Sequence, residues 1–445
     1  MDVSHKLQLA QWYVVECIVY VWLLKLPFAG RCSTEDLLPR IVQSPADPNG
    51  GHCVHGKQVL LLGPLVIAAS SDPSLGPTIS LLTPTNAQHT LSCQTSRTDR
   101  ATEVTTLALD QSPPSNSHHA RLAAFLSTGD FIVFNVDHSH PTHSSRLLTY
   151  QPTLRLPRTA PIVQVVYHGD LLVTLSESFH LSLYHLSGGK VTHTQTLSSF
   201  TSYPPSSMVL TPTSTSSYKL VLAYAIPVFP AHWSVGATEL IISCGPSMLV
   251  TSSRTTRAMD VPAGWIDEQK MRAMREQWSR KVERVADTQT DGKWVILAPS
   301  EAPPSPPVNT NTPQGAPGTP PPPSSFKTSS LHSPSSLQLY RLHFPASTSG
   351  ASNPKLSFVR TLHGQIGPVC ATSLADGRCV SLGVNGSIWV WDLEADLGAE
   401  VSPGLSHSTD SAFDAATFAK TSVAFDEKRI ISSAPHGVEL RRFDI

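Results

Sequence analysis

The stretch DGRCVSLGVNGSIWVWDLEAD, residues 376–396, contains two turn signals and two short apolar runs. Asp376-Gly377 is a turn signal, and Asn385-Gly386 predicts a two-residue hairpin turn. The runs RCVSLG and SIWVWDL have the β-branched and aromatic content of strands. In SIWVWDL both alternating faces are apolar, and Trp389 and Trp391 lie on the same one. The stretch therefore predicts a β-hairpin whose second strand is covered on both sides.

Similar strands recur along the chain at a nearly constant spacing. They begin at residues 78, 131, 181, 238, 337, 387 and 439, so successive starts differ by 53, 50, 57, 99, 50 and 52. Each is preceded by another apolar run, and several are followed by a third. Strand units of about fifty residues are typical of a closed ring of small sheets. We predict an all-β fold, a seven-bladed β-propeller, with eight blades as the alternative.

The segment Thr361 to Glu394 resembles one repeat of the WD-repeat β-propeller family and ends in the Trp391-Asp392 dipeptide. In that family a hydrogen-bonded group links a His, a Ser on the second strand, an Asp in the hairpin turn and the Trp. In this chain Gln365 occupies the His position and Asn385 the Asp position. The resemblance implies these structural repeat positions: Gln365, Ser381, Asn385, Gly386, Trp391, Asp392, Ser432 and Asp444.

The content of the single gap of 99 residues decides between seven and eight blades. Residues 262–285 place Met271, Met274 and Trp278 at helical spacing, and residues 301–325 are Pro-rich and lack aromatic side chains. Neither segment is suited to form a blade. We therefore predict one insertion, residues 255–336, within blade 5, made of a helix over 262–285 and a disordered stretch over 301–325.

The insertion divides the predicted propeller into two parts. Residues 51–254 supply blades 1–4, and residues 337–445 supply the remaining blades. The chain ends directly after what would be a third strand. We expect a strand from the first sixty residues to complete the last blade, which gives residues 1–50 the role of an N-terminal closing segment.

Charge and cysteine content limit the compartment and the partners. The net charge is -1 and the pI is about 7.0, which predicts neither nucleic-acid nor membrane binding. Seven cysteines without a C-x-x-C pair indicate a reducing compartment, cytoplasmic or nuclear. The apolar run from Tyr13 to Ala29 contains Glu16 and Lys25, so it suits a buried strand better than a membrane span or a signal peptide.

Three patterns that could carry chemistry have simpler explanations. GHCVHGK from Gly51 is not followed by the Ser or Thr of a phosphate-binding loop. DHSHPTH brings His138, His140 and His143 close to Asp137, and we interpret it as a solvated polar loop. No motif of nucleophilic or metal-dependent catalysis is present in the sequence. We predict no catalytic residue, cofactor or metal, and a protein that is not an enzyme.

The resemblance implies a protein-interaction scaffold or recognition subunit that holds a protein or peptide. Two alternatives stay open: a substrate-recognition adaptor of an F-box ubiquitin ligase, which would bind the ligase core, and a propeller-based hydrolase. EDLLPRIVQ (Glu35 to Gln43) has a Leu-Pro step but lacks the long helical run that an F-box needs. The candidate partner-binding residues are Met271, Met274 and Trp278, for which an ordinary solvated helix face is the simpler interpretation.

Overall fold

The residues described by the computed structural model contain 28 strands, paired into seven four-stranded antiparallel sheets. We call these sheets blades 1–7. The predicted seven-bladed propeller is confirmed. The described residues are 32–35, 58–70, 76–85, 87–96, 102–113, 118–152, 160–214, 216–229, 231–245, 248–260, 264–300, 335–345, 353–403, 421–434 and 437–443.

Blades 1–4 each consist of four consecutive strands, with the first strand innermost. Blade 1 contains β2 (Val59–Leu62), β3 (Leu65–Ser70), β4 (Thr78–Leu82) and β5 (Gln88–Ser92). Blade 2 contains β6 (Val104–Leu109), β7 (His119–Leu126), β8 (Phe131–Asp137) and β9 (Ser145–Tyr150). Blade 3 contains β10 (Ile162–His168), β11 (Leu171–Ser176), β12 (His180–Ser187) and β13 (Lys190–Ser198). Blade 4 contains β14 (Tyr203–Ser214), β15 (Ser217–Val228), β16 (His232–Cys244) and β17 (Met248–Arg257).

Blades 5–7 complete the ring, and blade 7 takes its fourth strand from the other end of the chain. Blade 5 contains β18 (Arg284–Thr290), β19 (Trp294–Ser300), β20 (Leu337–His343) and β21 (Lys355–Leu362). Blade 6 contains β22 (Val369–Ala375), β23 (Arg378–Gly383), β24 (Ile388–Asp392) and β25 (Leu397–Ser402). Blade 7 contains β26 (Ser422–Phe425), β27 (Arg429–Ala434), β28 (Gly437–Phe443) and β1 (Cys32–Glu35).

The core is divided among the junctions between blades. Seven apolar clusters are present in the described part of the chain, one between each pair of neighbouring blades. Every middle strand therefore contacts a neighbour on each side, which explains why strands such as β8 and β11 are apolar on both faces. The cluster between blades 7 and 1 includes Val66 and Leu440, so the ring is closed.

Strand β1 closes the ring by main-chain pairing. It lies antiparallel to β28, with Cys32 opposite Phe443 and Glu35 opposite Leu440. This is the place where a strand from the first sixty residues is expected. A side-chain link also joins the two ends, because Arg429 Nη1 in blade 7 donates a hydrogen bond to the Pro64 carbonyl in blade 1 at 3.1 Å.

The predicted helix over 262–285 is too long. The observed helix, α1, spans Glu268–Ser279 and lies between β17 and β18. Val282 is buried and forms an antiparallel bridge with Trp233 of blade 4, and β18 starts at Arg284. Apolar residues at helical spacing thus continue beyond the end of the helix, into residues that adopt a strand conformation and pair with blade 4. The range assigned to the insertion also contains β18 and β19, whereas residues 301–325 lie outside the described residues.

The hairpin that joins β23 to β24 differs from the predicted two-residue turn. Gly386 has a φ of +81°, but Asn385 does not have a positive φ. The Gly383 carbonyl accepts a hydrogen bond from the Gly386 N–H at 2.9 Å, and the Gly383 N–H donates to the Ser387 carbonyl at 2.8 Å. The turn is therefore one residue longer than expected and needs a single left-handed position, which glycine fills.

Candidate protein-interaction face

The topology assigns each connection of the ring to one of two faces. Strand direction alternates within a blade, and the innermost strands run parallel, as the bridge between Asp110 of blade 2 and Tyr167 of blade 3 shows. Connections from a second to a third strand and from one blade to the next therefore emerge on the same side. We call this side the insertion face, because it carries α1 and the long β19–β20 connection.

Helix α1 starts at a capped N-terminus and stands largely in solvent. The Asp267 carboxylate accepts a hydrogen bond from the Lys270 N–H at 2.7 Å, and Glu268 lies in the first turn, where the helix dipole favours negative charge. None of its residues is buried. The helix is thus held by its cap and its ends rather than by an apolar stripe against the blades.

The C-terminal end of α1 is fixed to blade 5. The Arg280 carbonyl accepts a hydrogen bond from Gln338 Nε2 at 2.9 Å, and the Arg280 guanidinium lies 4.3 Å from the centroid of the Phe358 ring. Gln338 is itself held by the Tyr340 hydroxyl, which donates to Gln338 Oε1 at 2.6 Å. Burial raises the pKa of Tyr340 well above its ordinary value, so this hydroxyl stays a donor at physiological pH.

The three candidate partner-binding residues lie together on α1. Met271 and Trp278 are 39% and 43% exposed, and Met274 is half-buried. Their spacing of three and four residues places them on the same side of the helix. The Trp278 ring lies 5.0 Å from Lys281 Nζ, a cation–π distance. The side chains that the sequence indicated are therefore accessible and adjacent.

Further large apolar side chains are exposed on the insertion face. They lie in connections or at a strand start: Phe200, Tyr203, Phe229, Trp265, Ile266 and Ile366. Trp265 is 87% exposed and Phe229 is 82% exposed. All but Ile366 lie directly before, within or directly after blade 4 in the chain. Sequence periodicity does not indicate them, because a lone aromatic residue in a connection has no period; the Phe229-Pro230 dipeptide is the one local signal in the sequence.

The other exposed large apolar side chains have a different location. They lie on the outermost strands of their blades: Leu147, Leu249, Val359 and Leu397. In the part of the chain that the structure describes, no exposed large apolar side chain occupies a connection on the opposite face. Among the described connections, exposed large apolar side chains are therefore confined to the insertion face and lie mainly at blade 4.

Charge around this apolar area is weakly positive. Residues 264–284 contain six basic and four acidic side chains. His232, at the start of β16, adds no positive charge at neutral pH, because burial and then the nearby Lys281 lower its pKa. A complementary surface would carry apolar side chains together with acidic ones.

The structural repeat positions form a buried chain of hydrogen bonds in blade 6. Trp391 Nε1 donates to Ser381 Oγ at 3.0 Å, and Ser381 Oγ donates to Gln365 Oε1 at 2.5 Å. Asn385 is not part of this chain: its Nδ2 donates to the Ile366 carbonyl at 3.0 Å and its Oδ1 accepts from Ser387 Oγ at 2.7 Å. The amides at the His and Asp positions thus have separate partners.

The remaining repeat positions are structural. Asp392 Oδ1 accepts the N–H groups of Glu394 and Ala395 at 3.0 and 2.8 Å, which fixes the turn after β24. Ser432 is buried in β27. Asp444 lies outside the described residues. Gln365, Ser381, Trp391 and Ser432 are buried, whereas Gly386 is exposed at the tip of its turn.

A closed ring of seven four-stranded blades, one of them with a Trp-Asp repeat, defines a β-propeller of the WD-repeat kind. Residues 65–415 match the model of the F-box protein pof12 beta-propeller, and the chain belongs to this family. The matched range starts in β3 and extends beyond blade 6, so it covers propeller and no F-box is part of the match.

Solved structures similar to the chain have low sequence identity to it. Saccharomyces cerevisiae Sqt1 is 11% identical, with 88% of this chain and 97% of that chain covered and a TM-score of 0.44. BamB from Moraxella catarrhalis is 8% identical, with coverage of 87% and 96% and a TM-score of 0.40. Neither likeness bears on function.

No curated protein sequence matches the chain. Among the described residues no helix is long and apolar enough to cross a membrane; the run from Tyr13 to Ala29 lies outside them.

Proposed function

We propose that the chain is a non-enzymatic recognition subunit that binds a partner protein on the insertion face. The observation that carries this proposal is the concentration of exposed aromatic and Met side chains around blade 4 and α1. Aromatic anchors on a rigid scaffold are typical binding hot spots. Membership of a propeller family named for an F-box protein supports a role in protein binding.

The partner's binding segment has a stated chemistry in this proposal. It presents apolar side chains to Phe229, Trp265 and Trp278, and acidic side chains to the weakly basic α1 region. Because α1 is fixed at Arg280 and capped at Asp267, the anchors are ordered before binding, which lowers the entropic cost of association.

A finer role is favoured by the family. In it the chain is the substrate-recognition adaptor of a ubiquitin ligase, the propeller holding the substrate while an F-box segment contacts the ligase core. The printed family name is what supports this role. The described cysteines Cys93, Cys244, Cys370 and Cys379 are free thiols, which fits a reducing compartment, the cytoplasm or the nucleus.

A variant pair tests the binding face. The full chain is used as bait in its native cells, and recovered proteins are quantified for wild type, for Phe229→Ala combined with Trp278→Ala, and for Leu147→Ala. Loss of hot-spot anchors is expected to lower recovery of the specific partner at least about tenfold. Leu147 is 51% exposed on the outer strand β9, so it is the matched control and should leave recovery unchanged.

The outcomes separate the proposals. A partner that is retained by the double variant, or that is lost with Leu147→Ala, contradicts binding on the insertion face. Recovery of a ubiquitin-ligase core component together with the partner supports the adaptor role. Recovery of the partner without any ligase component contradicts that role and supports a scaffold alone.

A further inference from the structure

An aspartate on the face opposite the insertion face is surrounded by three imidazoles. Asp137 is the last residue of β8, and its Oδ2 lies 3.9 Å from His119 Nε2, 4.0 Å from His140 Nδ1 and 4.0 Å from His143 Nδ1. His119 is the first residue of β7 and pairs with Asp137 across the sheet. His140 precedes a short 3₁₀ turn, Pro141–His143, that ends at His143. Separate elements thus converge on a single oxygen.

The two carboxylate oxygens of Asp137 have different roles. Oδ1 accepts the N–H groups of Ser139 and His140, both at 2.9 Å, and these bonds fix the turn. Oδ2 is the oxygen that faces the imidazoles. The backbone hydrogen bond from His140 is the main cause of a lowered pKa for Asp137, so the group is a carboxylate at neutral pH.

The donor set has the chemistry and nearly the geometry of a zinc site. Imidazole nitrogen and carboxylate oxygen bind Zn²⁺ at about 2.0–2.1 Å, so tetrahedral ligand atoms lie about 3.3 Å apart. The separations of 3.9–4.0 Å exceed this by a little over half an ångström. His140 and His143 have side chains about 70% exposed and can rotate to close the gap. Asp137, His140 and His143 place one ligand atom each within 4.8 Å of the others, and His119 lies outside this group of three, so its side chain must rotate inward to complete the set.

An ion would also have a path to this group. His119 lines a cavity of about 600 Å³ between blades 2 and 3, with Arg121 and Asp170 among its other walls. Its lining includes His138 and Gly188, which lie in connections on the same face as the β8–β9 connection. The fourth ligand is therefore accessible from outside the ring.

We propose that Asp137, His119, His140 and His143 bind one divalent transition-metal ion, with Zn²⁺ as the expected metal. The ion would tie the start of β7 to the β8–β9 connection, and its role is structural. The proposal departs from the interpretation of DHSHPTH as a solvated polar loop, because the fold brings His119, 18 positions earlier in the sequence, to the same oxygen. His138, which the sequence pattern also includes, packs against His118 at a ring distance of 5.7 Å instead.

Titration of metal-free full chain with zinc chloride tests the proposal. Calorimetry should show one ion bound per chain at this site, and the melting temperature should rise with zinc and fall again with chelator. Asp137→Asn keeps an oxygen for the turn but replaces the charged ligand, and His140→Ala with His143→Ala removes two ligands. Each should weaken zinc binding by at least tenfold, since even outer-shell changes cost about 10–100-fold.

The matched control is His138→Ala, in the same loop but outside the group. It should leave affinity and stoichiometry unchanged. The proposal is overturned if both ligand variants bind zinc as the wild type does, or if the His138 variant loses binding equally. It is also overturned if the wild type binds no zinc and its melting temperature does not change when zinc is added.

Discussion

A single tryptophan joins three parts of blade 6. The Trp391 indole N–H is bound to Ser381 on the neighbouring strand, while its ring covers Gly398 on the other neighbour so closely that a Cβ there would lie 2.5 Å from Cε3. Ser381 in turn binds Gln365 in the connection from blade 5. The indole therefore needs both a hydroxyl acceptor and a glycine, which makes this residue a structural element and not a ligand-binding one.

Ser381→Ala is expected to destabilise the propeller by about 1–3 kcal/mol, because it leaves the Trp391 indole N–H and the side-chain carbonyl of Gln365 buried without these partners. Denaturant unfolding of the full chain measures the change. Ser187→Ala, at an exposed strand end, is the control and should stay within about 0.5 kcal/mol. A loss for Ser381→Ala no larger than that of the control would show that the bonds contribute little.

The thiols of Cys93 and Cys379 are expected to resist alkylation while the chain is folded. Burial raises the pKa of Cys93 to about 12 and that of Cys379 further still, because the thiolate is poorly solvated. At about pH 8 both remain neutral thiols and react slowly. Peptide mass spectrometry after iodoacetamide treatment measures this; half-buried Cys244 should react faster, and all three should react alike in guanidinium. Equal rates in the folded chain would contradict the prediction.

At the scale of elements, neighbouring blades are joined by polar links as well as apolar clusters. Asp287 of β18 is half-buried, and its Oδ2 accepts the N–H and the hydroxyl of Thr372 in β22 at 2.7 and 2.8 Å. Its Oδ1 accepts the Thr288 N–H at 2.8 Å. Burial raises the pKa of Asp287, and the Thr372 hydroxyl opposes that rise. The link between blades 5 and 6 thus depends on donors that stabilise the charged carboxylate.

Thr372→Val removes one of these donors and should cost about 1–3 kcal/mol. The pKa of Asp287 should then rise further, so the loss appears where the carboxylate is ionised and shrinks as the pH falls through that pKa. Denaturant unfolding at about pH 8 and at a series of lower pH values should show the largest deficit at the highest pH. Thr372→Ser keeps the hydroxyl and serves as the control; a deficit that stays equal across the series, down to the pH at which Asp287 is protonated, would contradict the mechanism.

The strands were predictable because each blade buries both faces of its middle strands, which leaves a repeated apolar signal about every fifty residues. The boundary of α1 was not, because Val282 continues the helical spacing of Met271 and Trp278 while it pairs with Trp233, which is distant in sequence. The proposed binding face could be predicted only in part. Met271 and Trp278 have a helical period, but the exposure of Phe229 depends on which blade lies beside it.

At the scale of the whole molecule, the ring is closed by strand β1, so its two ends depend on each other. Blade 7 would have three strands without β1, and β28 would present an unpaired edge. The apolar cluster between blades 7 and 1 would remain. Closure therefore has an apolar component within the ring and a main-chain component at its outer rim.

Deletion of residues 1–57 is expected to lower the melting temperature, whereas deletion of residues 1–30 leaves β1 in place and is the control. Loss of about 1–2 kcal/mol of main-chain hydrogen bonding should lower Tm by roughly 1–3 °C in a domain of this size. Differential scanning calorimetry measures both variants. If the longer deletion melts as the shorter one does, β1 does not contribute to closure.

The two strands of the β1–β28 pair are synthesised far apart in time. The ribosome makes β1 first and its partner about 400 residues later. At about 5–20 residues per second, that interval is roughly 20–80 s. Blades 1–6 can form before the last strand of blade 7 has been synthesised. Two nascent chains close together on one message could each supply the other's closing strand. Exchange of strands between copies would therefore begin at the β1–β28 pair.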